Sequence, residues 1–378
     1  MNSMSPESKE QHEKWMRRTL TLARKGFTRI SPDPFRGAVL VQGDEIVGEG
    51  YLANRDDKDP ELYALEAAGE RARGATLYVN LEPAYGAHNN IDVVDALIAG
   101  GIGRIVAAMG DPNPQVSGKS LFALKTAGVE VVTGIGSDEA RQLNEIYIKD
   151  VSTRRPFVNM LTAMSLDGKI ATAMGDSQDI TSAAARDFVH TLRARYDAIL
   201  IGVNAILQDD PQLNCKSLRG CDPWRVIVDS QARTPVSAKI FLRSDPTDTR
   251  PPVLIAISYG AHEEHLRSLR HAGAEIIQCP DESSSEPRVD LARLMDHLHR
   301  HGITSVLLEG GGTLKAAALQ AGIVDKVTFI VAPKLIGGAD AKTPVEGEGA
   351  TIVSEAFGLK RMSARPLGED LLIEGYLE

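Results

Sequence analysis

The sequence contains few of the residues on which secreted and membrane-spanning proteins depend. Its 378 residues include only three cysteines, Cys215, Cys221 and Cys279, an odd number without the spacing of a disulfide framework. No apolar run approaches the ~20 residues that a transmembrane helix needs, and the polar N-terminal stretch lacks the apolar core of a signal peptide. These absences predict a cytoplasmic protein with no membrane partner.

The sequence also lacks an excess of basic residues. Lys and Arg number 42 against 51 Asp and Glu, which gives a formal net charge of −9, and the acidic excess is spread over both halves of the chain. Nucleic-acid-binding domains normally carry a basic patch, so we expect no nucleic-acid partner. The length is sufficient for two domains that each bury a core of their own.

Short β-branched runs alternate with amphipathic stretches along the chain, which is typical of α/β proteins. In the first half, "AVLVQ" and "EIVGEGYL" flank a hairpin-like turn at Gly43-Asp44. In the second half, strands are predicted at "AILIGV", "RVIVDS", "VLIAIS" and "SVLLEG", with helices between them. The stretch "VSTRRP" indicates a junction between two domains. We therefore predict two α/β domains, residues 1–150 and 151–378.

The stretch "NLEPAYG", which begins at Asn80, has the frame of a zinc site without its ligands. Zinc-dependent base deaminases place His-x-Glu at one helix start, and Pro-Cys with a second cysteine after the next strand. Here the glutamate is kept as Glu61. The three ligand positions have degenerated to Asp59, Ala84 and Val93. We expect no zinc and no deaminase activity in this domain.

An oxygen-rich metal site is the alternative interpretation of the same region. Asp59, Glu61 and His88 could supply its ligands, although they match no three-point catalytic zinc pattern. The simpler interpretation is that Glu61 is an acidic residue at a helix N-terminus, where the helix dipole favours it.

A series of motifs runs in order along nearly the whole chain. The first half contributes "GAVLVQGDEIVGEGY", "GERARGATLYVNLEP" and "LIAGGIGRIVAAMGDPNPQVSGKS", and the second half contributes "SLDGKIAT", "ILQDDPQLNCK", "LLEGGGTLKAAAL" and "VAPKLIGG". Together they resemble the bifunctional deaminase–reductase family of bacterial riboflavin biosynthesis. The resemblance implies an α/β protein with an N-terminal cytidine-deaminase-like domain and a C-terminal dihydrofolate-reductase-like domain.

The resemblance also implies a reaction for the second domain. The family reduces the ribose of 5-amino-6-(5-phosphoribosylamino)uracil to a ribityl group with hydride from NADPH, and its members form homo-oligomers, so a dimer or tetramer is expected. Because the cofactor carries the difficult chemistry, the protein has to bind and orient the reactants. The absence of a catalytic triad from the sequence is consistent with that task.

The glycine run in "LLEGGGTLKAAAL" lies between a predicted strand and a predicted helix. Such a turn lets the backbone approach a ligand, and the helix N-terminus directs free N–H groups at an anion. On spacing alone, the turn could equally be a tight connection. The resemblance implies that NADPH contacts Asp209, Ser230, Gly310, Gly311, Gly312 and Thr313.

Five positions match substrate contacts of the family: Ser177, Arg193, Leu213, Lys216 and Glu309. An arginine recognises phosphate through two donors at once, so Arg193 is a candidate clamp for the sugar phosphate. Without the resemblance it would be an ordinary solvated helix arginine. In the second half, the chain departs from the family pattern at Leu161, Asp179 and Ala205, and Lys216 stands where an arginine is usual.

Leu161 replaces a lysine that, in the resemblance, donates to a carbonyl of the pyrimidine ring. A leucine cannot donate, so the preferred substrate could be the undeaminated diaminopyrimidinone compound. Two other functions stay open: a bifunctional enzyme with an atypical metal site, and a non-catalytic protein that binds a nucleotide or a partner.

Overall fold

The computed structural model describes residues 6–26, 30–88, 91–215, 222–242 and 251–378. The chain divides into two compact units, Met1–Arg154 and Arg155–Glu378, here called unit 1 and unit 2. Among the described residues, no helix is both long and apolar enough to cross a membrane.

Unit 1 alternates strands and helices around one sheet. Its elements are α1 (Pro6–Ala23), β1 (Gly37–Gln42), β2 (Glu45–Tyr51), α2 (Pro60–Ala68), β3 (Thr76–Val79), β4 (Ala87–His88), β5 (Ile91–Asp92), α3 (Val93–Ala99), β6 (Arg104–Ala107), α4 (Lys119–Thr126), β7 (Glu130–Thr133), α5 (Ser137–Leu143) and α6 (Glu145–Thr153). The sheet order in the described residues is β2-β1-β3-β6-β7. The antiparallel pairing of β1 with β2 confirms the turn predicted at Gly43-Asp44.

The unit 1 sheet is buried on both faces. Ala38, Leu40 and Leu77 belong to the apolar cluster that contains α2 and α3, whereas Val39 and Tyr78 belong to the cluster that contains α1 and α5. This division follows from the strand period of two, which directs alternate side chains to opposite faces. Burial on both faces explains why these strands read as continuous apolar runs.

Unit 2 is built on a larger mixed sheet. Its elements are β8 (Phe157–Ser165), α7 (Ala183–Arg195), β9 (Ala198–Gly202), α8 (Val203–Asp209), β10 (Trp224–Val228), β11 (Val253–Ile257), α9 (Glu263–His271), β12 (Ala274–Gln278), α10 (Leu291–Arg300), β13 (Ser305–Leu308), α11 (Gly312–Gln320), β14 (Lys326–Ala332), β15 (Leu359–Leu367) and β16 (Asp370–Leu377). The order in the described residues is β12-β11-β10-β9-β13-β8-β14-β16-β15.

The strands from β12 to β14 are parallel to their neighbours, and only the last two strands are antiparallel. The carboxyl ends of β10, β9, β13 and β8 therefore meet along one edge, where α/β sheets bind their ligands. Helices α10 and α11 cover one face of the sheet through Leu294, Leu298 and Ala318. Helices α8 and α9 cover the other face through Ile206 and Leu269.

Candidate active site

Arg193 and Glu309 form an ion pair at the carboxyl edge of the unit 2 sheet. The Arg193 Nε lies 2.8 Å from Glu309 Oε1, and the Arg193 Nη2 lies 2.7 Å from Glu309 Oε2. Glu309 directly follows β13, and its backbone N–H donates to the carbonyl of Leu200 on β9. The side chains keep 17% and 14% of their exposure, so the pair is shielded but open on one side. Two residues predicted to contact substrate are thus brought together.

Arg193 belongs to helix α7, whose first residue is capped and whose last turn favours positive charge. The Ser182 side chain caps the helix by accepting from the Ala185 N–H, and the Ser182 hydroxyl donates to Asp370 at 2.6 Å. Near the other end, the cationic Arg193 lies in the last turn, where the helix dipole favours positive charge. Burial by itself would lower the pKa of Arg193, but the Glu309 carboxylate raises it above its ordinary value. The guanidinium of Arg193 therefore stays charged.

The glycine turn next to Glu309 has two glycines that the structure requires. Gly310 has φ +101°, a conformation that other residues rarely adopt. A Cβ on Gly312 would lie 2.5 Å from the Thr343 carbonyl oxygen and 2.7 Å from the Glu346 side chain. Gly311 has no such constraint, since a Cβ there would meet nothing within 4 Å. Gly310 serves the turn, and Gly312 serves packing against the segment around Glu346.

A carboxylate lies against the first turn of α11. The Thr313 hydroxyl donates to Glu346 Oε2 at 2.8 Å, and the Glu346 backbone N–H donates to the Gly312 carbonyl at 3.2 Å. Thr313 is one of the predicted cofactor contacts. The anionic Glu346 side chain therefore lies beside the turn at which an anionic ligand is expected.

A lysine lies beneath the same turn. Lys315 keeps only 2% of its exposure, and its Nζ donates to the Thr162 hydroxyl at 2.8 Å. Burial lowers the pKa of Lys315 to about 8, although the nearby Glu309 acts in the opposite direction. The sequence interpretation missed this residue, because nothing in its spacing distinguishes it from a surface lysine of an amphipathic helix.

Hydrogen bonds join the loops that contain the motifs "SLDGKIAT" and "VAPKLIGG", at the carboxyl ends of β8 and β14. Asp167 accepts from the Ser165 hydroxyl at 2.6 Å and from the backbone N–H groups of Ile336 and Gly337. These hydrogen bonds hold the pKa of Asp167 at about 2. The Leu166 N–H donates to the Lys334 carbonyl. The two loops thus fix one wall of the candidate site.

The other predicted site residues lie apart from the ion pair in different settings. Ser177 and Ser230 are half-buried, and Asp209 is exposed at the end of α8. Leu213 keeps 5% of its exposure because its side chain packs in the apolar cluster of α8 and α9, a burial that the sequence did not predict. Lys216 lies outside the described residues.

Leu161 shares a sheet face with Glu309. Met160 is the register partner of Leu308, and both side chains belong to the cluster under α10 and α11. Because successive strand residues point to opposite faces, Leu161 and Glu309 both point to the other face. The position that departs from the family pattern therefore adjoins the candidate substrate site.

In unit 1, the side chain of Arg36 pairs with the two acidic residues of the degenerate zinc motif. The Arg36 guanidinium pairs with Asp59 through Nη1, and its Nη2 lies 3.1 Å from Glu61 Oε1. Asp59 and Glu61 are the residues that the motif comparison predicts at the positions of the first ligand and the proton-transferring acid. Burial alone would lower the pKa of Arg36, but Glu61 and Asp59 raise it above its ordinary value. A fixed positive charge thus lies between the two carboxylates.

Two asparagines hold the backbone on either side of Arg36. The Asn80 amide accepts from the Gly37 N–H at 2.8 Å and donates to the Phe35 carbonyl at 2.7 Å. The Asn144 amide accepts from the Phe35 N–H at 2.7 Å. Asn80 opens the stretch "NLEPAYG", so that stretch retains a structural task in positioning the arginine.

Glu82 has a second structural task in the same stretch. It is fully buried and accepts from the Ser120 hydroxyl at 2.7 Å and from the N–H groups of Asp111, Gly118 and Leu121. A carboxylate with four donors is well satisfied without a metal. It joins β3 to the loop before α4.

The donors present in unit 1 do not fit a catalytic zinc ion. Zinc requires three nitrogen, sulfur or oxygen ligands from the protein, whereas Ala84 and Val93 have no donor atom and Asp59 is engaged by Arg36. The described residues contain no group of three or more His, Cys, Asp or Glu side chains placed as a metal site. The side chain of His88, the third residue of the oxygen-rich alternative, lies outside the described part of the structure.

The fold and the two charge clusters define a two-unit α/β protein in which a unit with a buried arginine–carboxylate cluster precedes a unit with an arginine–glutamate pair at the carboxyl edge of its sheet. The family model of the RibD C-terminal domain matches residues 156–373. The chain is 38% identical over 360 residues to the riboflavin biosynthesis protein RibD of Actinobacillus pleuropneumoniae, covering 95% of this chain and 94% of that protein. The chain belongs to the RibD family of riboflavin biosynthesis proteins.

Solved structures agree over nearly the whole chain. RibD of Acinetobacter baumannii, 33% identical, superposes with a TM-score of 0.82 and covers 98% of this chain and 99% of its own. A diaminohydroxyphosphoribosylaminopyrimidine deaminase/5-amino-6-(5-phosphoribosylamino)uracil reductase from Thermotoga maritima, 28% identical, superposes with a TM-score of 0.80 over 98% of this chain and 99% of its own. The predicted fold class, a deaminase-like followed by a reductase-like α/β domain, is confirmed.

Proposed function

We propose that the protein is an NADPH-dependent reductase of the riboflavin pathway that converts a phosphoribosylamino-pyrimidine to its ribitylamino product, and that unit 1 does not deaminate. The observation that carries the proposal is the Arg193–Glu309 pair, which lies at the carboxyl edge of the sheet and directly precedes the glycine turn. That edge is where α/β sheets bind ligands.

The residues at the turn fit a dinucleotide. Gly310 adopts φ +101° in the turn, and α11 begins at Gly312, so its unpaired N-terminal N–H groups would face a phosphate bound at the turn. We assign cofactor binding to Asp209, Ser230, Gly310, Gly311, Gly312 and Thr313. NADPH, when bound, supplies the hydride to ribose C1′.

Arg193 and Glu309 bind and orient the substrate in this proposal. Each Glu309 oxygen already accepts from Arg193 but retains lone-pair capacity for a hydroxyl or amine of the ligand. The Arg193 Nη1 is left to donate to the sugar phosphate. Reduction at C1′ requires that the C1′–O4′ bond breaks and that O4′ takes a proton, so a shielded edge that fixes the ribose favours the step.

The inactivity of unit 1 rests on Arg36. A guanidinium that is permanently charged and paired with both carboxylates repels a divalent cation. It also ties up Glu61, the group that would transfer the proton in a deamination. Another protein would then supply the deamination step.

In this proposal, Leu161 determines whether the substrate is reduced before or after its deamination. It lies on the face of Glu309 and cannot donate to a ring carbonyl, which favours the undeaminated diaminopyrimidinone compound over the uracil compound. Leu161→Lys should shift kcat/KM towards the uracil compound by about tenfold, the worth of a single hydrogen bond to a charged group. An unchanged ratio would contradict the assigned position of Leu161.

The test of the function is NADPH oxidation by the purified protein, offered each pyrimidine compound separately, together with a metal analysis and an assay for ammonia release. Oxidation without ammonia release and without stoichiometric zinc supports the proposal. Ammonia release would favour the bifunctional alternative, and NADPH binding without oxidation of either compound would favour a non-catalytic protein. Substitution of Arg193 should lower this NADPH oxidation. Arg270→Gln, which removes an exposed pair with Glu263, is the matched control and should leave it unchanged.

A further inference from the structure

Lys315 is a buried cation that the proposed reaction does not use. It keeps 2% of its exposure, and the Thr162 hydroxyl is a neutral partner that satisfies only one of the three ammonium donors. Among the described residues, no carboxylate forms an ion pair with it. A buried charge is normally paired, because transfer of an unpaired charge out of water is costly. Because the free-energy cost of burying the Lys315 ammonium is not offset by an ion pair in the described part of the chain, a bound ligand is the candidate for its partner.

The sheet register places the Lys315 ammonium level with the glycine turn. Leu308 of β13 is the partner of Met160 of β8. Thr162 lies two residues beyond Met160 on β8, and β13 ends at Leu308 just before Glu309 and the glycine turn, so Thr162 lies beside the carboxyl end of β13, where that turn begins. The ammonium, 2.8 Å from the Thr162 hydroxyl, therefore lies beneath the start of α11.

Two acidic residues border the glycine turn and the first turn of α11, and one of them, Glu309, favours the charged form of Lys315. Glu309 follows β13 but is already neutralised by Arg193 of α7. Glu346, in the segment after β14, lies on the first turn of α11 and accepts from Thr313. Without a ligand, Lys315 is thus left with one neutral partner, while the nearest acids are engaged elsewhere.

We propose that Lys315 is the counter-charge for the anionic cofactor at the Gly310–Thr313 turn and that it takes up a proton when the cofactor binds. The inference rests on the proposed NADPH site and adds a proton-coupled binding residue to it. The phosphates bring negative charge to the mouth of α11, and a negative charge near a buried amine favours its protonated form.

The shifted pKa makes this coupling measurable. Burial lowers the pKa of Lys315 to about 8 in the unliganded protein, so about half of the molecules carry a neutral amine at pH 8. Binding of an anion raises the pKa again and should draw in about half a proton for each NADPH at that pH.

The experiment is calorimetric titration of the full-length protein with NADPH at pH 8 in two buffers of different ionisation enthalpy. The dependence of the observed heat on the buffer gives the number of protons taken up. Wild type should take up about half a proton. Lys315→Met should take up none and bind about tenfold more weakly. Lys315→Arg, which stays charged at every pH, should bind with little loss and no uptake.

The outcomes separate this inference from the proposed cofactor. NADPH binding to the wild type without proton uptake, or uptake that persists in Lys315→Met, would overturn the role of Lys315 alone. No NADPH binding by the wild type would overturn the cofactor proposal and this inference with it. Lys125→Met, on an exposed face of α4, is the control and should behave as wild type. Circular dichroism of each variant would verify that it is folded.

Discussion

Both units contain an arginine paired with carboxylates, and the two sites differ in how far they are closed. In unit 1, the Arg36 side chain keeps 11% of its exposure and is shared by Asp59 and Glu61, whose side chains keep 5% and 1%. In unit 2, Arg193 pairs with the single carboxylate of Glu309, and both side chains keep a measurable exposure at a sheet edge. In the Arg36 cluster both carboxylates are engaged by the guanidinium, whereas the more exposed Arg193–Glu309 pair keeps the Nη1 donors of Arg193 and lone pairs of Glu309 for a ligand.

The difference shows that an ion pair of the same residue types can serve structure or binding. Burial on all sides makes the loss of one partner expensive, because the others are left as uncompensated buried charges. Openness on one side allows a ligand to complete the remaining hydrogen bonds. The following predictions test this contrast, starting with the largest expected effect.

Arg36→Met should destabilise unit 1 strongly. Removal of the guanidinium leaves Asp59 and Glu61 buried without a cation, and we expect a loss of about 3–5 kcal/mol in the free energy of unfolding. Denaturant unfolding followed by circular dichroism would measure it. Arg104→Met, which removes an exposed pair with Glu130, is the control and should cost about 1 kcal/mol or less. Similar losses in the two variants would show that the Arg36 cluster is not a closed structural unit.

Arg193→Met should mainly damage activity. Truncation of one partner of a shielded charge pair costs about 2–5 kcal/mol, and we expect kcat/KM for the pyrimidine substrate to fall by about a hundredfold. Arg193→Lys should recover only part of this loss because lysine lacks the planar fork. Steady-state NADPH oxidation would measure both variants. A full recovery by lysine would show that Arg193 contributes charge alone.

Lys315→Met should stabilise unit 2 in a pH-dependent way. The pKa of Lys315 is lowered in the folded state to about 8, so below that pH the folded protein bears the cost of a buried charge. As the pH rises from 8 towards the ordinary lysine value, the unfolded state holds the proton longer and wild-type stability rises. The advantage of Lys315→Met at pH 7 should therefore shrink by about 2 kcal/mol at pH 9.5. Urea unfolding at both pH values would test this; a constant difference would contradict it.

Glu346→Gln should have the smallest effect and the opposite sign. It removes a negative charge from the first turn of α11 while keeping an acceptor for the Thr313 hydroxyl. We expect NADPH to bind about threefold more tightly, ~0.7 kcal/mol, with the gain reduced at high salt. Fluorescence titration at two salt concentrations would measure it. A weaker affinity would show that Glu346 supports the turn and does not compete with the ligand.

Several features of the molecule were predictable because they depend on local pattern or on motifs. The β1–β2 turn followed from Gly43-Asp44, and the two α/β domains followed from the alternation of strands and helices. The expected lack of zinc ligands at Ala84 and Val93 stays a prediction, which rests on alanine and valine having no donor atoms in any fold. The assignment of Arg193 and Glu309 as substrate contacts came from the motif series and stays a prediction, while the structure brings the two side chains together.

Other features depended on residues distant in the chain. Arg36 lies 23 residues before Asp59 and 25 before Glu61, so no spacing in the sequence indicates that its guanidinium fills the metal frame. Lys315 and Thr162 are separated by 153 positions, and Thr313 and Glu346 by 33. The burial of Leu213 depends on the packing of α8 and α9, which its local sequence does not reveal.

The sequence by itself determined which chemical groups this protein has, among them the alanine and valine at the predicted ligand positions, the glycine run and the alternation of strands and helices. Only the tertiary structure decided which charges meet and which are left unpaired. The physical reason is that donor and acceptor capacity belongs to each residue type, whereas Coulomb energy and desolvation depend on distances and burial that only the folded chain fixes.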